Sequence, residues 1–210
     1  MGLGNRGMVF EMLINLANEM YQRGGGVALI NKRPTPVKVL KSKGGRVLNG
    51  FYEAKSTVDY EGVYKGRAIA FEAKSTEKDT RFDLKNIAQH QLDYLEKAEK
   101  MGAICFFLIE FSKDKSVFVV PLSVIQSYVR MSHQPKGKKS IPKADFDIYG
   151  YVVEQTERAP VDYLQYVDEA VVSVMFDGMI QFDQDHKKVA NNIETAKEKM
   201  ANRKHKLLKA

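Results

Sequence analysis

Asp59 precedes Glu72 by thirteen residues, and the segment joining them, Tyr60-Glu61-Gly62-Val63-Tyr64-Lys65-Gly66-Arg67, reads as a strand running into a tight turn. A second strand follows, Arg67-Ala68-Ile69-Ala70-Phe71-Glu72-Ala73-Lys74. Side chains of a strand alternate between its faces, so Ile69 and Phe71 point one way and Glu72 and Lys74 the other. Antiparallel pairing across a turn at Lys65-Gly66-Arg67 would bring Asp59 beside Glu72. Two carboxylates and one ammonium then meet at one sheet edge.

Hard divalent cations such as Mg2+ take oxygen ligands and need only one or two protein carboxylates, with positions left for water and phosphate oxygens. Asp59 and Glu72 meet that requirement. A cation held there would lower the pKa of an attacking water, and Lys74 would stabilise charge in the transition state or orient the nucleophile. This chemistry is phosphodiester hydrolysis. The same spacing also fits a solvated strand face with Asp59 capping a turn, because Asp, Glu and Lys are common surface residues.

The wider sequence separates these readings. Ser56-Thr57-Val58-Asp59-Tyr60-Glu61-Gly62-Val63-Tyr64 followed by Phe71-Glu72-Ala73-Lys74 resembles the RecU family of Holliday junction resolvases, within the restriction-endonuclease-like superfamily. Similar blocks extend from about residue 4 to 168: Gly4-Asn5-Arg6-Gly7 with Phe10-Glu11, Lys32-Arg33-Pro34-Thr35-Pro36, Leu84-Lys85-Asn86 with His90-Gln91, Gly137-Lys138-Lys139-Ser140-Ile141-Pro142, and Val161-Asp162-Tyr163-Leu164. The resemblance implies an α/β fold with a mixed central sheet flanked by helices and a basic stalk projecting from it. It places Thr57, Asp59, Glu72 and Gln91 at the metal site and Lys74 at the position that stabilises the transition state. Glu11 falls where this superfamily often carries a supporting acidic residue on a helix. The implied activity is a Mg2+-dependent crossover junction endodeoxyribonuclease, with Mn2+ as a substitute, that resolves four-way junctions by paired symmetric nicks in recombination and repair. A homodimer acting on branched DNA follows from the same resemblance, with recombination proteins as further partners.

One repeat and one competing motif in the chain bear on this assignment. Glu-Ala-Lys-Ser-Thr occurs at 53–57 and again at 72–76. Only the second copy follows an alternating apolar strand with an aspartate upstream, so the chemistry is placed there. Gly2-Leu3-Gly4-Asn5-Arg6-Gly7 fits a dinucleotide-binding pattern, but that fingerprint needs a preceding strand and only Met1 stands before it. A lead-in to the first helix is expected instead, with Arg6 touching phosphate.

Charge points to an anionic partner, since the 210 residues carry a net +7. Residues 31–55 hold Lys32, Arg33, Lys38, Lys41, Lys43, Arg46 and Lys55 against Glu53, a net +6, and residues 185–210 hold eight basic against three acidic residues, a net +5. Lys and Arg contacts to phosphate supply affinity without sequence preference, which suits recognition of DNA shape. Of these, Lys32, Arg33, Lys38, Lys41, Lys43 and Arg46 are the expected DNA contacts, on a two-stranded projection turning at Gly44-Gly45; a solvated basic loop fits the charge equally well.

The expected organisation is a nuclease domain over 1–175, with the stalk inserted at about 34–56, followed by a basic extension over 176–210 that is helical or partly disordered. Helices are predicted over Met8–Arg23, Leu84–Met101 and Leu122 to about Arg130, and strands over Val27–Ile30, Ala103–Phe111 and Ser116–Pro121. No segment is apolar and long enough to span a membrane, and no export signal opens the chain, so a cytoplasmic location is expected. The single Cys105 lies in an apolar run and reads as a core thiol. Two other functions use the same residues: a restriction-like or repair endonuclease on duplex DNA, and a junction-binding accessory protein that does not cut.

Overall fold

The computed structural model describes residues 4–23 and 26–167, with side chains from residue 7 onward. The 176–210 extension, the domain end at 175 and the side chain of Arg6 therefore lie outside the described residues. In chain order the first half comprises α1 (Gly4–Arg23), β1 (Ala28–Lys32), β2 (Val37–Lys43), β3 (Arg46–Tyr52), β4 (Tyr60–Tyr64) and β5 (Arg67–Thr76). The second half comprises β6 (Arg81–Asp83), a 3-10 turn (Leu84–Asn86), α2 (Gln89–Lys100), β7 (Ile104–Phe111), β8 (Ser116–Pro121), α3 (Leu122–His133), β9 (Ser140–Pro142), α4 (Lys143–Tyr149) and β10 (Tyr151–Val153).

Six strands build a mixed central sheet in the order β1-β4-β5-β7-β8-β10. Only β5 and β7 run parallel; the other pairs are antiparallel. A parallel pair needs a crossover, and α2 supplies it on one face. All eight residues of β7 are buried, as expected of a strand covered on both sides. One face packs with α1 and the segment 159–167 through Phe10, Ile14, Phe71, Phe106 and Tyr163. The other packs with α2, α3 and α4 through Phe107, Ile109, Leu95, Ile125 and Phe146.

Phe71 anchors the first face. Its ring stacks between Tyr60 at 4.8 Å and Phe106 at 4.7 Å, and Tyr163 leans against it at 5.0 Å. These contacts lock three adjacent strands in register one residue from Glu72. Gly62 serves the neighbouring seam, because a Cβ there would lie 2.0 Å from the backbone oxygen of Leu29 on β1. The close approach of β1 and β4 thus excludes every other residue at this position.

The predicted strands and the first helix appear with shifted ends, α1 beginning at Gly4 rather than Met8. The helix predicted over Leu84–Met101 is broken. Ile87 and Ala88 are extended, with ψ of 120° and 142°, separating the 3-10 turn from α2. The cause is tertiary: Leu84 donates its N–H to Lys139 O at 3.0 Å, and β6 pairs with β9, so the chain here belongs to a small second sheet before it can become helix. The periodicity of a helix continued through the break because Leu84 and Ile87 are buried on the same side as Leu92 and Leu95.

The projection forms as two antiparallel strands, β2 and β3, all of whose residues are exposed. Removing the Phe71 ring should destabilise the protein by about 3–5 kcal/mol through lost burial and an unfilled cavity. Urea unfolding of Phe71→Ala would check this, and a loss below about 1 kcal/mol would contradict the anchoring role.

Candidate active site

The β4–β5 hairpin turns through Lys65 and Gly66, which both have positive φ (49° and 74°), the backbone shape that matches strand twist in a two-residue turn. Tyr60 then pairs with Phe71, and Asp59 falls opposite Glu72. Two reciprocal bonds fix the pair: Asp59 donates its backbone N–H to Glu72 Oε2 at 3.1 Å, and Ala73 donates its backbone N–H to Asp59 Oδ2 at 3.2 Å. Each carboxylate is thereby held by the other strand's backbone.

The second oxygen of Glu72 is held as well. Lys74 Nζ donates to Oε1 at 2.6 Å and Gln91 Nε2 donates to the same atom at 2.5 Å. Gln91 reaches it because the break before α2 turns the first helical turn toward the sheet. Its amide oxygen accepts the Ala88 N–H at 3.0 Å and so satisfies an orphan donor at the helix start. With this amide orientation Gln91 meets the carboxylate through nitrogen.

Glu72 is 1% exposed, and its surroundings act on its charge. Burial pushes its carboxyl up to about 7; the Lys74 ammonium opposes this, and the negative Asp59 adds to it. Thr57, two residues before Asp59, has a buried hydroxyl oxygen without a hydrogen-bond partner. Two carboxylates forced together and a buried hydroxyl lacking a partner form an oxygen-rich set that a hard divalent cation would relieve. Among the described residues no group of three or more His, Cys, Asp or Glu converges, so the donors do not resemble a zinc site.

Thus Asp59, Glu72, Lys74 and Gln91 share one hydrogen-bonded cluster, with Thr57 two residues before Asp59 in the chain. Glu11 sits one layer away. Its backbone oxygen lies 3.4 Å from the Tyr60 hydroxyl, and its carboxylate is ion-paired with Lys32. Lys32 is therefore engaged by protein. Arg33 is engaged too, through Glu61 at 2.5 Å and the face of the Tyr94 ring at 5.9 Å, while its N–H donates to Asp59 O at 2.7 Å. Lys38, Lys41, Lys43 and Arg46 are exposed on the projection and make no ion pair among the described residues.

The Arg33–Glu61–Tyr94 bracket was not anticipated from sequence, since its members lie 28 and 33 residues apart. Its only local sign is an acidic residue after Asp59-Tyr60. Leu92 of α2 is buried in the core.

The raised Glu72 pKa has a consequence for folding. A carboxyl whose folded pKa lies above its ordinary 4.5 stabilises the fold below that pH, and the contribution is lost as pH rises toward about 7. With divalent cations chelated, the stability difference between wild type and Glu72→Gln should shift against wild type across that window in urea unfolding. A pH-independent difference would contradict the buried-carboxyl assignment.

Residues 5–169 match the family model described as RecU, Recombination protein U. The chain is 35% identical over 170 residues to Holliday junction resolvase RecU of Ligilactobacillus salivarius (strain UCC118), covering 79% of this chain and 78% of that protein. It is 34% identical over 175 residues to Holliday junction resolvase RecU of Geobacillus sp. (strain WCH70), covering 81% of this chain and 86% of that one. A solved structure of Hjc, a Holliday junction resolvase from Archaeoglobus fulgidus, aligns at a TM-score of 0.37 with 9% identity, over 66% of this chain and 94% of that one. With the match spanning the whole site and most of the chain, this protein belongs to the RecU family.

Proposed function

We propose that this chain is a Holliday junction resolvase, a metal-dependent endodeoxyribonuclease that cuts four-way DNA junctions by paired symmetric nicks. The reading is carried by one observation: Asp59 and Glu72 are locked side by side by reciprocal backbone bonds, with Lys74 and Gln91 both on Glu72. Its family supplies the substrate, since the relatives are named Holliday junction resolvases.

Asp59 and Glu72 would hold Mg2+ together with the unpartnered Thr57 hydroxyl; Gln91 would join as a ligand only with its amide turned over, because its oxygen now caps α2. Bound there, Mg2+ would neutralise phosphate charge and lower the pKa of a water. Lys74 is already held by Glu72, and its ammonium would stabilise negative charge developing on the phosphate. Gln91 restrains Glu72 in one orientation. Glu11 supports the site through its bond region with Tyr60 and its pairing with Lys32.

On the projection, Lys38, Lys41, Lys43 and Arg46 would contact phosphates at the junction centre, while Lys32 and Arg33 brace its root. Two strands must be cut across a branched substrate, and a C2 homodimer places two sites for that task. No helix among the described residues is long and apolar enough to cross a membrane.

A labelled four-way junction beside a linear duplex of the same sequence, with Mg2+ present or chelated, tests the reading. Wild type should nick the junction symmetrically and only with metal. Asp59→Ala should bind the junction and not cut it; equal cutting of the duplex would overturn junction selectivity, and unchanged cutting by Asp59→Ala would overturn the site. Lys74→Ala should lower the cleavage rate of bound junction by about 100-fold to 1000-fold, the usual scale for removing a charge-stabilising donor. Single-turnover rates would measure it, and a loss below about 10-fold would remove Lys74 from the chemistry.

A further inference from the structure

The turn between α3 and β9 has a fixed shape. A Cβ on Gly137 would lie 2.1 Å from Met131 O and 2.8 Å from Ser132 O, so only glycine lets the chain fold back against the end of α3. Gly137 donates its N–H to Gln134 O at 2.9 Å, and the Lys139 ammonium donates to Ser132 O. Lys136 takes a positive φ of 61°. The result leaves Lys136 and Lys138 exposed on a constrained turn.

This turn is joined to the approach to the active site. Leu84 donates to Lys139 O at 3.0 Å, and Phe82 and Asp83 pair with Ile141 and Ser140. Lys85, on the 3-10 turn, is exposed beside it. From Lys85 the chain passes through Ile87 and Ala88 into α2 and reaches Gln91 after six residues, a span of at most about 20 Å. Val58, the residue before Asp59, shares a core cluster with Phe82, Leu84 and Ile141, so turn and site lie on the same face of the sheet.

Lys85, Lys136 and Lys138 have no ion pair or hydrogen bond to any described residue. The acidic side chain of this small sheet, Asp83, is already taken by Lys78 and by Arg81 at 3.3 Å. Three unneutralised ammonium groups held on one rim repel one another and fit a polyanion with regularly spaced charge. Lysine acts on phosphate as a point charge and reads no bases, which suits backbone tracking.

We propose that Lys85, Lys136 and Lys138 form a phosphate-tracking rim that holds the duplex arm flanking the cut, separately from the projection that meets the junction centre. At 3.4 Å per nucleotide along a strand, the Lys85 end of the rim falls within about six phosphates of the Asp59–Glu72 site. The inference rests on the nuclease reading of the Asp59–Glu72 site.

The test compares junction binding and cleavage by wild type, the triple variant Lys85→Gln/Lys136→Gln/Lys138→Gln, and a charge-matched variant at the opposite end of the sheet, Lys65→Gln/Lys97→Gln/Lys100→Gln. Each phosphate contact contributes about 0.9 to the slope of log affinity against log salt, so three lost contacts lower it by about 2.7. Over a four-fold rise in salt the rim variant should then lose about 40-fold less affinity than wild type. Its single-turnover cleavage at saturation should be unchanged, and Lys→Arg replacements should restore the slope. Neutral methylphosphonates within six nucleotides of the cut should weaken wild type and have no further effect on the rim variant. A wild-type slope in the rim variant, or an equal slope change in the charge-matched variant, would overturn the rim. Wild type that cuts no junction while the slope difference persists would sink the resolvase reading and leave the rim in place.

Discussion

Two carboxylates side by side, each gripped by the backbone of the other's strand, are the constraint around which this structure is arranged. Burying a carboxylate is costly and a second one beside it adds to the cost, and both effects are visible in the raised pKa of Glu72. The arrangement persists because the surrounding sheet leaves no alternative. Phe71 is wedged between Tyr60 and Phe106 one residue away, and Gly62 lets β1 close against β4. Register and burial together hold Asp59 and Glu72 where an isolated hairpin would let them separate.

Lys74 and Gln91 lessen the cost without removing it. Both donate to the same oxygen of Glu72, and Gln91 simultaneously caps α2. The helix break at Ile87-Ala88 thus links the start of α2, the small β6–β9 sheet and the acidic pair. The projection is tied to the same point from the other side, since Arg33 bonds the carbonyl of Asp59 and pairs with Glu61 beneath the Tyr94 ring. Displacement at the root of the projection would be felt at Asp59 within one hydrogen bond.

Positive charge is divided by what neutralises it. Lys32, Arg33, Lys78 and Arg81 are consumed by ion pairs within the protein. Lys38, Lys41, Lys43 and Arg46 on the projection, and Lys85, Lys136 and Lys138 on the rim, are not. A count of basic residues cannot make that division, because pairing depends on which acids the fold brings within reach. The result is two cationic groups on separate elements, the projection and the turn before β9 with Lys85, a distribution suited to a branched polyanion.

The hairpin that brings Asp59 to Glu72 was legible in the sequence because every feature defining it is local: a two-residue turn, alternation with period two, and a fixed offset between the two carboxylates. The first helix and the buried β7 were legible for the same reason, whereas the basic projection rested on the family resemblance, since its charge alone fitted a solvated loop as well. Tertiary structure decided the rest. The break between Leu84 and Gln89 depends on a bond from Leu84 to Lys139, 55 residues away, while the apolar spacing across it remains that of a helix. The nitrogen-first orientation of Gln91, the engagement of Arg33 by Glu61 and Tyr94, and the meeting of Lys85 with the Lys136–Lys139 turn likewise need partners distant in the chain. Sequence by itself determined which groups could do the chemistry and how one hairpin would align them; only the folded sheet determined how deeply Glu72 is buried, and that burial is the largest force raising its pKa.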